Sequence, residues 1–103
     1  MYRDVNCGTL TIKDVGKTVT VAGWIHRRRD HGGIIFFDLR DRSGILQIVT
    51  NPEDSSSSYD EAERSRNEWV VKVTGQLKIR PEGTENLNMP SGQIELITSE
   101  FTV

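Results

Sequence analysis

The chain has 103 residues, 35% hydrophobic and 27% charged, which fits one globular domain with a single core and leaves no material for a second. A formal charge of -2 and a pI near 5.6 exclude a protein that coats nucleic acid by bulk positive charge, so a nucleic-acid site has to be a local patch. The single cysteine, Cys7, excludes an internal disulfide, and the sequence has neither a signal peptide's apolar stretch nor a run near the roughly 18 residues of a membrane span, so a cytoplasmic protein is expected.

Alternation from Thr18 to Ile25, with Val19, Val21, Gly23 and Ile25 on one parity, predicts a first half-buried strand. Arg27, Arg28 and Arg29 follow it, then the turn residues Asp30, His31, Gly32 and Gly33. The second strand, Gly33 to Arg40, puts Ile35, Phe37 and Leu39 on one face and Ile34, Phe36, Asp38 and Arg40 on the other. Phe36 therefore points the same way as two charges. A large ring on a half-polar face, close to an arginine triplet, is the pattern of a platform for an unpaired base; a second layer covering the ring is the plain alternative. Asp41-Arg42-Ser43-Gly44 reverses the chain into a third strand, Ile45 to Thr50, where Leu46 and Ile48 share a face and Gln47 takes the other.

From Asn51 the texture changes to a loop with Pro52 and serines, then a short helix over Tyr59 to Arg66 with Ser57 or Ser58 as its cap and acids near its start. Asn51 to Glu68 carries six acids against two arginines, a local charge of -4 that leaves +2 for the remainder. A long strand follows, with Trp69, Val71, Val73, Gly75, Leu77 and Ile79 on one side and Val70, Lys72, Thr74, Gln76, Lys78 and Arg80 on the other. After a loop over 81–92, a fifth strand runs from Gln93 to Ser99, with Glu95 opposite in parity to Ile94 and Leu96.

Three strands, a helix and two more strands form the element order of an all-β, five-stranded OB-fold Greek-key barrel with one short helix between strands three and four; a small open β-sandwich is the competing architecture. One such domain accounts for residues 1–103. In these barrels strands two and three carry oligonucleotides, which is where Phe36 and Gln47 fall.

The residues point to binding rather than catalysis. His26 and His31 have no cysteine or carboxylate at metal-ligand spacing, and Gly16-Lys17-Thr18 lacks the upstream glycine of a phosphate-binding loop. No catalytic and no metal-binding residue is assigned, and no cofactor is expected in this domain. Arginine offers a planar fork of donors to phosphates and base edges, glutamine pairs a donor with an acceptor, and a carboxylate accepts from amino groups. Arg27, Arg29, Phe36, Gln47 and Glu95 together would supply charge, stacking and discrimination, the needs of a short single-stranded loop of required sequence. A free-standing single-stranded nucleic-acid binder and a protein-interaction barrel remain alternatives at this point.

The motifs Cys7-Gly8, Val21-Ala22-Gly23-Trp24-Ile25, Arg27-Arg28-Arg29-Asp30, Gly33-Ile34-Ile35-Phe36, Asp38-Leu39-Arg40-Asp41-Arg42-Ser43-Gly44 and Gln47, extended by Arg80-Pro81-Glu82-Gly83-Thr84 and Ser91-Gly92-Gln93-Ile94-Glu95, closely resemble the N-terminal anticodon-binding domain of bacterial aspartyl-tRNA synthetase. The resemblance covers essentially the whole chain. It implies that Phe36 stacks on the middle anticodon base, that Gln47 reads that base's edge, that Arg27, Arg29 and Glu95 help define the last positions, and that Lys78 and Arg80 touch backbone or neighbouring bases. It also implies a partner, the anticodon loop of tRNA(Asp), and a homodimeric parent with an ATP- and Mg2+-dependent class II catalytic domain outside this fragment. Ser43 and Gln93 depart from the commoner pattern, which puts fine contacts in question. His31 resembles members that charge tRNA(Asn) as well.

Overall fold

The computed structural model describes residues 7–54, 56–80, 92 and 94–103. Two single turns of 3-10 helix, Cys7–Thr9 and Ile12–Asp14, precede β1 (Thr18–His31), β2 (Ile34–Asp41), β3 (Gly44–Thr50), helix α1 (Ser56–Arg64), β4 (Val70–Ile79) and β5 (Ile94–Thr102). The strands close into a barrel in the order β1-β2-β3-β5-β4, with β4 returning to β1. Among the described residues only the β3–β5 pairing is parallel. Closure removes the free edges that an open sandwich would leave.

Alternation fills the interior as expected: Val19, Val21 and Ile25 of β1, Ile35, Phe37 and Leu39 of β2, and Leu46 and Ile48 of β3 are all buried. Val71, Val73 and Leu77 of β4 and Ile94, Leu96 and Phe101 of β5 complete the lining. Phe37 and Phe101 meet across it with ring centroids 5.4 Å apart. The N-terminal segment adds Cys7 and Leu10 to this core, and α1 contributes Ala62. Asp41 fastens that segment, its Oδ2 accepting from the Cys7 amide at 2.7 Å and its Oδ1 from the Ser43 amide at 2.8 Å.

Two strands outrun their alternation, each through a bulge. β1 extends to His31 rather than stopping at Ile25, because the register shifts between Ile25 and Arg27. β5 runs to Thr102 rather than Ser99 because of a shift opposite Thr74 and Gly75, which turns Phe101 inward after the polar run Thr98-Ser99-Glu100. Gly75 sits where a Cβ would stand 2.1 Å from the Ile97 carbonyl oxygen, so the close crossing of β4 and β5 requires glycine. The β1–β2 hairpin turns at Gly32 and Gly33, with φ of 60° and 82°, the paired positive values of a two-residue type I′ turn.

Other expectations need correcting. α1 starts at Ser56, so Ser57 and Ser58 lie inside it rather than capping it, and its first turn carries no acid. Ser58 is buried, and its hydroxyl donates to the Ser99 carbonyl at 3.0 Å. Trp69 precedes β4 and is 41% exposed, and Ile79, despite its parity with Leu77, is 58% exposed at the strand's end. The expected loop over 81–91 and Gln93 lie outside the described residues.

Candidate nucleic-acid interface

The bulge in β1 decides where the arginines point. Strict alternation from the buried Ile25 would send Arg27 and Arg29 toward the interior side and Arg28 outward. The extra residue at His26 reverses this: Arg27 pairs with Asp38 and Arg29 with Phe36 on the outer face, while Arg28 falls opposite the buried Phe37. The segment before β4 holds the bulge in place, with the Ile25 amide donating to the Trp69 carbonyl at 2.9 Å and the Glu68 amide donating to the Ile25 carbonyl at 2.7 Å. Glu68 adopts a left-handed φ of 73° to make this contact.

Arg28 thereby takes a different task from its neighbours. One guanidinium nitrogen donates to the carbonyls of Glu63 and Ser65 at 2.8 Å each and of Ala62 at 3.3 Å, at the C-terminal end of α1. The other two nitrogens pair with Asp30 at 2.7 and 2.9 Å. A cation on the last carbonyls of a helix satisfies its orphan acceptors and complements its dipole. Arg28 thus ties the hairpin to α1, and all three of its guanidinium nitrogens are engaged in doing so.

On the outer face, cross-strand register aligns Arg27, Asp38, Gln47, Glu95 and Lys78 in one row spanning β1, β2, β3, β5 and β4. The adjacent row holds Arg29, Phe36 and Val49. Between these rows and the hairpin tip lies a cleft of about 580 Å³. Of the residues expected to bind, Arg29, His31, Phe36, Gln47, Arg80 and Glu95 line it; Arg27 and Lys78 stand in the row that crosses it but outside its walls. Phe36 is half-buried and absent from the core, so its ring is available as a cleft wall, whereas Phe37 is fully enclosed. Asp30, Ile34 and Val49 also line the cleft and were not expected to. For Ile34, its parity with Phe36 was the available signal.

The polar groups hold one another in fixed orientations. Arg29 donates to Asp38 at 2.9 Å and to Gln47 Oε1 at 3.2 Å, and Gln47 Nε2 donates to Glu95 Oε1 at 2.9 Å. An arginine only donates and a carboxylate only accepts, so this chain of bonds fixes which way the Gln47 amide faces. One N–H and one oxygen lone pair of that amide remain for a ligand. Arg80, also buried, donates through Nε to the Ile94 carbonyl at 3.0 Å. Burial pushes the Glu95 carboxyl above its ordinary value, against the opposing Gln47 hydrogen bond and Arg80 charge. Burial likewise pulls the Arg80 guanidinium down, against the attraction of Asp38 and Glu95. The site therefore presents a ring for stacking and a preset array of donors and acceptors.

A second concavity of about 560 Å³, between Arg28, Asp30, Ser65, Arg66 and Asn67, lies on the opposite side of the hairpin. Arg28 and Arg66 spend donors there on protein carbonyls, which leaves it without the chemistry of the first cleft.

Comparison with known proteins agrees with this fold. The aspartate--tRNA(Asp/Asn) ligase of Moorella thermoacetica is 54% identical over 98% of this chain and 17% of its own length. That of Cyanothece sp. is 54% identical over 92% of this chain and 16% of its own length. The chain thus spans about a sixth of the curated relatives it matches. The crystal structure of asparaginyl-tRNA synthetase from Pyrococcus horikoshii complexed with asparaginyl-adenylate superposes with a TM-score of 0.81 at 27% identity, covering 100% of this chain and 22% of that one. Residues 19–103 match the model of the OB-fold nucleic acid binding domain, and with the closed barrel and the cleft on β2 and β3, the chain belongs to that family.

Proposed function

We propose that this chain is the anticodon-reading domain of an aspartate-tRNA ligase. The observation that carries the reading is the half-buried Phe36 ring forming a wall of a cleft that Arg29, Gln47 and Glu95 also line. In this reading Phe36 stacks on the middle anticodon base, and the free edge of the Gln47 amide pairs with that base. Arg29 and Glu95 meet the bases beside it. Lys78 and Arg80 serve the backbone or neighbouring nucleotides. The charging reaction, with its need for ATP and Mg2+, belongs to a separate class II domain of a homodimeric cytoplasmic enzyme, and the chain alone aminoacylates nothing.

The 54% identity to ligases named for both tRNA(Asp) and tRNA(Asn) supports a relaxed preference at the last anticodon base. His31 stands at the cleft, at the end of β1, where it is placed to act on that preference.

Titration with hairpins that differ at single anticodon positions tests the reading. Gln47→Ala is expected to remove discrimination at the middle position; because it also strips the buried Glu95 carboxylate of its donor, the titration is run well below that variant's melting temperature. Exchange of the last base from cytidine to uridine is expected to change affinity little. Equal affinity for an anticodon hairpin and an unrelated single strand would replace anticodon reading with unselective single-strand binding. A strong preference for cytidine would remove the relaxed specificity alone.

A further inference from the structure

The arginines among the described residues fall into two groups. Arg28, Arg29, Arg64, Arg66 and Arg80 each donate to a protein carbonyl, carboxylate or amide. Arg27, Arg40 and Arg42 are exposed and make no hydrogen bond or ion pair among the described residues. Two of these, Arg27 and Arg40, stand on one surface. Leu39 and Ile25 pair with each other and are both fully buried, so Arg40 and its register partner Trp24 face outward. Arg27 stands one row nearer the cleft, on the neighbouring strand. Strand spacing and rise place the two arginine Cα atoms roughly 8 Å apart on this outer face. Trp24, half-buried, lies beside Arg40 and continues into Val70 of β4, which is 52% exposed.

This surface borders the cleft through Asp38: the register partner of Arg27 is also the acceptor for Arg29, which lines the site. Asp38 forms its ion pair with Arg29, at 2.9 Å, and none with Arg27 or Arg40 among the described residues. Asp41, the other acid of this strand end, is buried and taken up by Cys7 and Ser43. Two uncommitted guanidinium groups and an indole, continuous with a base-reading cleft, suit a phosphodiester backbone rather than more bases.

We propose that the outer face of β1 and β2 is a second RNA contact, in which Arg27 and Arg40 hold backbone phosphates of nucleotides flanking the bases read in the cleft and the Trp24 ring underlies them. It rests on the anticodon-reading function above. The cleft alone grips the bases; this track sets the direction in which the strand leaves them. It moves Arg27 from base definition to backbone contact.

The test is a cycle between protein and RNA charges, using the 103-residue chain and an anticodon hairpin. Arg40→Gln and Arg27→Gln are each expected to weaken the native hairpin about three- to tenfold at low salt and to flatten the log–log salt dependence by about 0.7 per contact. Lys13→Gln, a charge removed from an exposed site off this face, is the control and is expected to change neither. Hairpins carrying neutral methylphosphonates at successive flanking positions should include one run that binds as weakly as the variants do, and on that RNA Arg40→Gln should have no further effect. Unchanged affinity of Arg40→Gln for the native hairpin, or an undiminished loss on every neutralised hairpin, overturns the track and leaves the face to a protein partner or to solvent. Phe36→Ala run alongside separates the two levels: if it weakens binding while Arg40→Gln does not, only the track falls; if neither weakens binding, anticodon reading at this cleft falls with it.

Discussion

Phe36 and Phe37 are the same side chain one peptide bond apart, and their surroundings differ completely. Phe37 is 1% exposed, stacked near Phe101 inside the barrel; Phe36 lines a cleft beside Arg29 and Gln47. The inner face of β2, Ile35, Phe37 and Leu39, is apolar and closed, while the outer face, Ile34, Phe36, Asp38 and Arg40, mixes ring, carboxylate and guanidinium. A strand makes the two faces independent, so one element can hold the fold together and read a ligand with alternate residues. Substitutions on the two faces should accordingly fail in different assays.

The largest effect is expected inside. Phe37→Ala empties the barrel centre and should lower unfolding free energy by about 3–5 kcal/mol in urea melts, with RNA affinity lost only as the folded fraction is lost. Arg28 and Arg29 extend the comparison to β1. Arg28→Ala removes the guanidinium from the α1 carbonyls and is expected to cost about 2 kcal/mol of stability, with base preference retained. Arg29→Ala should do the reverse, weakening hairpin binding while moving the melting temperature little. A melt and a titration on each pair of variants check both statements.

The smallest effect is a difference in pH dependence between Asp41 and Glu95, the two buried acids among the described residues. For Asp41, burial alone would raise the carboxyl, but hydrogen bonds from Ser43 and the Cys7 amide together hold it below its ordinary 3.8. Its contribution is thus complete above that value and lost as pH falls through the lowered one. For Glu95, burial raises the carboxyl above its ordinary 4.5, so ionisation in the folded state is penalised. The favourable state is complete below 4.5 and lost as pH rises through the raised value. Glu95→Gln should therefore raise the melting temperature modestly at pH 7 and give no gain in acid, whereas Asp41→Asn should destabilise at pH 7 and converge toward wild type in acid. Thermal melts across pH 3 to 8 would show the two trends crossing.

Much of this was legible in the residues. Unbroken alternation located β2, β3 and the buried parity of β4, and helix placement after the third strand identified the barrel. Alternation failed where a bulge broke it. Alternation stops β1 at Ile25 and β5 at Ser99, short of their ends at His31 and Thr102, because a period of two carries no sign of an inserted residue. Alternation alone separates Arg28 from Arg27 and Arg29, yet which face each takes depends on that same inserted residue. Single turns such as Ile12–Asp14 rest on one capping box, Thr11 with Asp14, and leave little periodicity to detect. Six of the eight expected binding residues gather at one cleft, because stacking, donor and acceptor chemistry on a shared parity is a local property. The role of Asp38 in holding Arg29 leaves no local signal, because it needs the pairing of β1 with β2, whose partners lie nine residues apart.

The central claim, that the exposed face of β2 reads RNA bases while its buried face only holds the barrel, is tested most directly on Phe36→Ala by measuring anticodon-hairpin affinity and thermal stability on the same preparation. Expected is a loss of about 5- to 150-fold in affinity, the equivalent of one lost base stack, with a near-wild-type melting temperature. A large fall in melting temperature, or an intact affinity, would contradict it.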